Sequence, residues 1–268
     1  AYLSRQAIER RAKNDIAVTD ADFPISRSYI AMLSETGATP VVQSKWFATV
    51  VVESPDSTVA EQLQQLAIVD SVKWIWKGNL RVPAEEKRED RFVSEDEPLH
   101  NEYGYSYKQI KMLNGTKLHE AGFRGEGMRV AVIDAGFMNA DRVSAFDSLR
   151  LLGTHNVVFP GKSVFVGDDH GTKVLSCLAA DIPGVMVGTA PKASYLLLKS
   201  EDSDSEYPVE EDYWTAAVEY ADSAGVDVIS SSLGYFAFDT DELSYDQDAL
   251  DGRTAMISRA ANLAADKG

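Results

Sequence analysis

The sequence predicts an α/β protein, a parallel sheet with helices on both faces, set behind a smaller α+β module. Three observations predict it. From Met128 onward, apolar runs of strand length alternate with segments of helical period, the pattern of strands joined by crossover helices. Ahead of residue 80, two helical patterns alternate with β-branched and aromatic runs. Between the two lies a charge-dense stretch, residues 81–101, that contains Pro83 and Pro98.

The elements follow in order. Residues 25–37 read as a helix ended by Gly37, a residue that takes the left-handed turn after a last helical turn. Residues 40–53 read as one strand, being β-branched and aromatic. Residues 57–67 form a helix capped by Ser57 or Thr58, with Val59, Leu63 and Leu66 on one face. Residues 69–78 read as a strand with alternation at Val72, Trp74 and Trp76. The stretch 81–101 reads as an exposed linker; a solvated loop inside one domain has the same composition. Strands are then predicted at Met128–Asp134, Ser194–Lys199 and Val226–Ser230. Helices are predicted at Gly171–Ala180, at Glu210–Ala224 with Trp214, Ala217, Val218 and Ala221 on one side, and from Leu250 onward.

Composition removes several classes of function. A length of 268 residues fits two domains and a real core. With 42 acidic against 26 basic residues, the formal charge is −16, a field that repels phosphate backbones and argues against a nucleic-acid partner. Cys177 is the single cysteine, so no intrachain disulfide framework exists. No run approaches the ~20 apolar residues of a membrane helix; the longest, Trp46 to Val52, has strand length. The chain opens at Ala1 without a charged-then-apolar leader, and a leader already removed would leave the same sequence.

In open parallel sheets ligands sit at the carboxyl ends of the strands, so the residues after each strand carry the functional signal. Asp134 ends the first strand and precedes Ala135 and Gly136. A carboxylate there could accept a phosphate, ligate a metal or cap a helix. His170 follows Asp168 and Asp169 and opens a helix beside Gly171. A lone histidine is more often structural, and a helix N-terminus disfavours imidazolium. A carboxylate partner would offset that, and Asp134 is the candidate. Gly188–Pro191 is a tight turn ahead of a strand, which alone is only punctuation. Ser230–Gly234 follows the last strand with small side chains, leaving backbone groups open to an extended peptide, or forming an ordinary polar loop.

Together and in this order, these segments resemble the subtilisin-like serine peptidases. VAVIDAGF, Val130–Phe137, resembles the segment bearing the family's catalytic aspartate, and HGTKV, His170–Val174, the one bearing its histidine. GTAPKA, Gly188–Ala193, and DVISSSLG, Asp227–Gly234, resemble the landmark and the substrate-binding segment that follow. His170 follows Asp134 by 36 residues, and Ser232 follows His170 by 62. Asp before His is the subtilisin chain order. The resemblance covers residues 103–268. It implies Asp134 and His170 as catalytic residues, Ser232, Leu233 and Gly234 as substrate-binding residues, no cofactor and a polypeptide substrate. It also implies that residues 1–80 are a propeptide that assists folding and blocks the cleft, that 81–101 holds the maturation site, and that the protein is a zymogen, secreted or attached to the cell envelope. The segment 3–26 and the SKWF motif resemble propeptides of subtilases from Bacteroides-like bacteria.

The sequence departs from the family at Ala135, where Ser or Thr is usual, at Leu175–Ser176 in place of Ala-Gly, and at Tyr235 in place of a glycine. Asp181–Gly184 lacks an Asn-rich calcium loop, so no metal site is predicted. No Gly-Thr-Ser nucleophile segment occurs in the sequence. The expectation is therefore that the serine lies beyond this chain, that the catalytic sheet is incomplete here, and that the chain alone is inactive. The remainder would come as continuing polypeptide or as a second chain. Two competing readings remain: a non-catalytic binding or inhibitory protein of the same fold, and an unrelated receiver or nucleotide domain in which Asp134 and His170 stand apart.

Overall fold

The computed structural model describes residues 2–76 and 101–268. Its elements in chain order are α1 (Arg5–Lys13), α2 (Arg27–Glu35), β1 (Thr39–Ser44), β2 (Thr49–Glu53), α3 (Val59–Gln64), α4 (Tyr107–Met112), α5 (Gly115–Glu120), β3 (Arg129–Asp134), β4 (Arg150–Asn156), α6 (His170–Ala179), β5 (Asp181–Ile182), β6 (Met186–Val187), β7 (Ser194–Lys199), α7 (Val209–Ala224), β8 (Val228–Ser231) and α8 (Met256–Asp266). They fall into two compact units. The first holds the described residues up to 76 with Asp202–Gly225 and Gly234–Gly268; the second holds those from 101 to Glu201 with Val226–Leu233. Helices α7 and α8 thus cluster with the N-terminal region. The predicted linker lies outside the described residues except for Asn101.

In the first unit, β1 and β2 form an antiparallel pair. Leu33, Ala38, Val59 and Leu63 make its small core, with Val50, Val52 and Leu66 against them. Residues 40–53, predicted as a single strand, form two instead: the chain reverses between Ser44 and Thr49. No Gly or Asn-Gly marks the turn because its hydrogen bonds come from elsewhere. The Glu219 carboxylate on α7 accepts from the Ser44 hydroxyl at 2.5 Å and from the backbone N–H groups of Lys45 and Trp46 at 3.0 and 3.1 Å. Ala48 takes the positive φ of 52° that closes the reversal.

A second correction concerns residues 69–78. Among the described residues 71–76 have no strand; Val72 bonds through its N–H to the Gln64 side chain at 3.0 Å, and Val72 and Trp74 are 36% and 49% exposed. The alternation is real, but none of the described residues 69–76 stands in a β-ladder, and alternation alone does not make a strand; residues 77–78 lie outside the described residues. Helix α1 starts at a Ser4 cap whose hydroxyl accepts from Ala7 N–H, and Arg10, Arg11 and Lys13 occupy its last turn, where cations oppose the helix dipole favourably. Gly225, at φ +76° after α7, lets α1 approach: a Cβ there would lie 2.4 Å from the Ala7 nitrogen. The last helix begins at Met256, later than Leu250, because Asp251 caps the N–H groups of Arg253 and Thr254 in a turn first.

The second unit carries the four-stranded parallel sheet, in the order β4-β7-β3-β8. Strands β3 and β7 are central and almost wholly buried, as expected for parallel strands covered on both faces. Val130, Val132, Tyr195 and Leu197 from one face pack with Leu175 and Ala179 of α6 and with Phe137, Phe146 and Val164. Fully burying each such side chain contributes about 1.5–3 kcal/mol, so this layer fixes the height of α6 over the strand ends. Strand β4 was not foreseen: RLLGTHN mixes polar and apolar residues, which suits an edge strand and weakens its sequence signal.

Candidate active site

Parallel pairing brings the C-terminal ends of β3, β7 and β8 to one rim. Asp134 is the last residue of β3 and is fully buried. His170 is the first residue of α6, and its side chain is half exposed. Across 36 residues of sequence, His170 Nδ1 lies 2.7 Å from Asp134 Oδ1. A carboxylate only accepts, so Nδ1–H is the donor, and in the neutral ring Nε2 keeps its lone pair. The same Oδ1 accepts from the Ala135 N–H at 2.8 Å. Asp134 Oδ2 is buried with no hydrogen-bond partner among the described residues.

Two glycines make the approach possible. A Cβ on Gly171 would stand 2.4 Å from Gly136 O and 2.9 Å from the Asp134 Cβ. A Cβ on Gly136 would stand 2.8 Å from Asp168 O. Both are distances real side chains do not reach, so the aspartate turn and the start of α6 interlock only with glycine at these points. Thr172 Oγ1 donates to Met138 O at 2.8 Å, and Asp168 Oδ1 accepts the His170 N–H at 2.7 Å. The Asp169 carboxylate pairs with Lys173 at 2.7 Å.

The electrostatics follow from these contacts. Burial pushes the Asp134 carboxyl up, against the pull of the His170 ring and the Ala135 N–H. The bond to Asp134 holds the His170 imidazole above its ordinary value, against partial desolvation, and Asp168 adds to the rise. The helix N-terminus, which disfavours imidazolium, is thereby offset by two carboxylates. Such a pair can hold one imidazole tautomer, take a proton at Nε2 and stabilise the cation that results.

Ser232, Leu233 and Gly234 follow β8, whose Ser231 stands opposite Ile133, one residue short of Asp134. Ser232 and Gly234 are exposed and Leu233 is half-buried. Asp181, in the segment where no calcium loop was predicted, sits in the β5–β6 hairpin and bonds Lys192 at 2.5 Å. Asp168, Thr172 and Lys199, which no sequence motif marks as functional, also bond to the segments that carry the pair. Lys199 ends the SYLLLK strand, and the strand-end rule that singled out Asp134 applies to it equally.

Residues 1–91 match a family described as the peptidase S8 propeptide domain of Bacteroidota. Among curated proteins, subtilisin E of Bacillus subtilis (strain 168) is 32% identical over 147 residues, 53% of this chain and 36% of that one. The major intracellular serine protease of the same organism is 31% identical over 133 residues, 47% of this chain and 40% of that one. Among solved structures, fervidolysin from Fervidobacterium pennivorans, a keratinolytic enzyme related to subtilisin, aligns with a TM-score of 0.55 at 15% identity over 91% of this chain and 37% of its own. The epidermin leader peptide processing serine protease of Staphylococcus aureus aligns with a TM-score of 0.54 at 15% identity, over 91% of this chain and 57% of its own. The two structural likenesses show the fold. The chain spans less than half the length of the curated relatives it matches.

Proposed function

We propose, from the premise that this chain is related to the subtilisin-like serine peptidases and carries their propeptide domain, that it supplies the acid–base half of a serine endopeptidase in proenzyme form. The observation that carries the reading is the 2.7 Å bond between Asp134 Oδ1 and His170 Nδ1. Asp134 orients the imidazole. His170 Nε2 takes the proton from a serine hydroxyl as that oxygen attacks the substrate carbonyl, then returns it to the leaving amine. The serine and the oxyanion donors come from polypeptide outside residues 1–268. Ser232, Leu233 and Gly234 offer backbone groups to the substrate as an extended strand. Residues 1–80 act as the propeptide that blocks the cleft until a bond within 81–101 is cut. No metal or cofactor takes part, and the protein works outside the cytoplasm, secreted or on the cell envelope.

The test is complementation. The chain is joined with the polypeptide that completes the catalytic domain in the parent protein, and peptide hydrolysis is measured after maturation. Hydrolysis is expected, and His170→Ala should remove it by a factor of about 10⁴ or more. Full activity in the His170→Ala protein would reject the base. A correctly folded complement that never hydrolyses peptides but binds a peptidase would favour the non-catalytic, inhibitory alternative.

A further inference from the structure

The rim that carries Asp134 holds a second buried charge. Lys199 ends β7 and stands in register with Asp134 on one side and Asn156 of β4 on the other. Side chains two apart along a strand share a face. Val130 and Val132 with Tyr195 and Leu197 all pack toward α6; Asp134 and Lys199 continue those two rows. His155 of β4, by the same alternation, belongs to the opposite face.

The Lys199 side chain is 8% exposed, and its Nζ donates to Ala135 O at 2.5 Å. The peptide unit before that carbonyl is held too, since the Ala135 N–H donates to Asp134 Oδ1 at 2.8 Å. Ser200 N–H donates to Asp134 O at 3.1 Å, closing the turn from the β7 side. A Cβ on Gly167, in the loop leading to Asp168 and His170, would come within 4.0 Å of Nζ. The ammonium therefore sits between the turn after Asp134 and the loop before His170. Burying it is costly, and a leucine would fill a strand end with no such cost.

We propose that Lys199 is a positioning residue for the Asp134–His170 pair. It pins the Ala135 carbonyl and so aims the Asp134 carboxylate at Nδ1, while its charge favours ionised Asp134 beside a neutral ring. The other charges acting on the His170 ring are Asp168, just before α6, and Lys173 within it, the latter paired with Asp169. This inference rests on reading the pair as the acid–base couple.

The experiment is an NMR titration of the His170 ring in the 268-residue chain, with the Nδ1–H resonance followed at low temperature. Three substitutions separate donor from charge. Lys199→Gln keeps a donor and loses the charge; the His170 pKa should rise by about half a pH unit, the size of one charge acting across a hydrated rim. Lys199→Met loses both, and the Nδ1–H resonance should broaden or vanish. Lys199→Arg should restore both readouts. Asp134→Asn is the control for the underlying pair and should lower the His170 pKa. If Asp134→Asn leaves the titration unchanged, the acid–base pair itself is wrong. If Asp134→Asn acts as expected while the Gln and Met variants titrate as wild type and keep the resonance, the role of Lys199 is overturned. It is overturned equally if the Gln and Arg variants fail to fold by circular dichroism, because Lys199 is then a residue of the fold.

Discussion

Replacing Glu219 by alanine should unlock the β1–β2 turn from α7. The carboxylate is 6% exposed and accepts three hydrogen bonds, two of them from consecutive backbone N–H groups of the turn. Bonds to an ionised acceptor contribute about 1.5–3 kcal/mol each when a partner is left behind unsatisfied. Against that stands the cost of burying the carboxylate, which pushes its carboxyl up despite the bonds from Ser44, Lys45 and Trp46. Taking about half of the gross gain as net gives about 3 kcal/mol for Glu219→Ala. At a slope of roughly 2 kcal/mol/M that is a fall of about 1.5 M in the urea midpoint. Glu219→Gln keeps one accepting oxygen and has no charge to desolvate, but turns an N–H₂ toward a backbone N–H; about 1 kcal/mol is expected. Urea unfolding followed by tryptophan fluorescence reads the stability, and hydrogen exchange of the 39–53 peptide reads the turn. An alanine variant within about 0.5 kcal/mol of wild type, with unchanged exchange at Lys45 and Trp46, would refute the reasoning.

Further outcomes follow from other contacts. Arg11 is 1% exposed and bridges Asp22 at 2.7 Å and Asp222 at 2.8 Å, with Lys267 3.0 Å from Asp22; Arg11→Met leaves two buried carboxylates short of charge and should cost about 3 kcal/mol in urea unfolding. Gly171→Ala forces a methyl to within 2.4 Å of Gly136 O; a cost of roughly 1–3 kcal/mol and loss of the Nδ1–H resonance of His170 are expected by thermal unfolding and NMR. Burial, reinforced by Glu211, pushes the Asp212 carboxyl from 3.8 up to about 7, against Lys73. The folded chain then keeps a proton that the unfolded chain has released, so this group's stability is complete below pH ~4 and is lost as pH rises to ~7. Asp212→Asn should flatten urea midpoints measured from pH 4 to pH 8 relative to wild type, and parallel curves would contradict the burial argument.

The parts of the fold that could be read from the sequence are those whose stability is local in pattern. SYLLLK is apolar for four consecutive residues and becomes β7 at the predicted bounds. Residues 210–224 carry a 3.6-residue apolar stripe, acidic residues in the first turn and Gly225 after the last, and become α7 with Trp214, Ala217, Val218 and Ala221 buried. The turn between β1 and β2 could not be read because the acceptor that closes it, Glu219, lies 175 residues from Ser44. Over the described residues 69–76 the predicted strand does not form, for the opposite reason: alternation describes one face of a strand, while a strand exists only with a ladder partner.

The same division holds at the site. Asp134 was visible because a carboxylate closing an apolar strand stands where parallel sheets present their ligands, and His170 because a histidine at a helix start needs compensation. Their meeting at 2.7 Å depends on what no spacing encodes, the interlocking of Gly136 with Asp168 and of Gly171 with Gly136. Lys199 shows the limit of reading one strand at a time. In its own segment it looks like the solvated end of a strand, and only the register that sets it between Asp134 and Asn156 turns it into a buried cation. A parallel sheet stacks equivalent positions of distant segments into one row. Charge at the end of one strand therefore acts on chemistry at the end of its neighbour, and strand ends are better read as a row than singly.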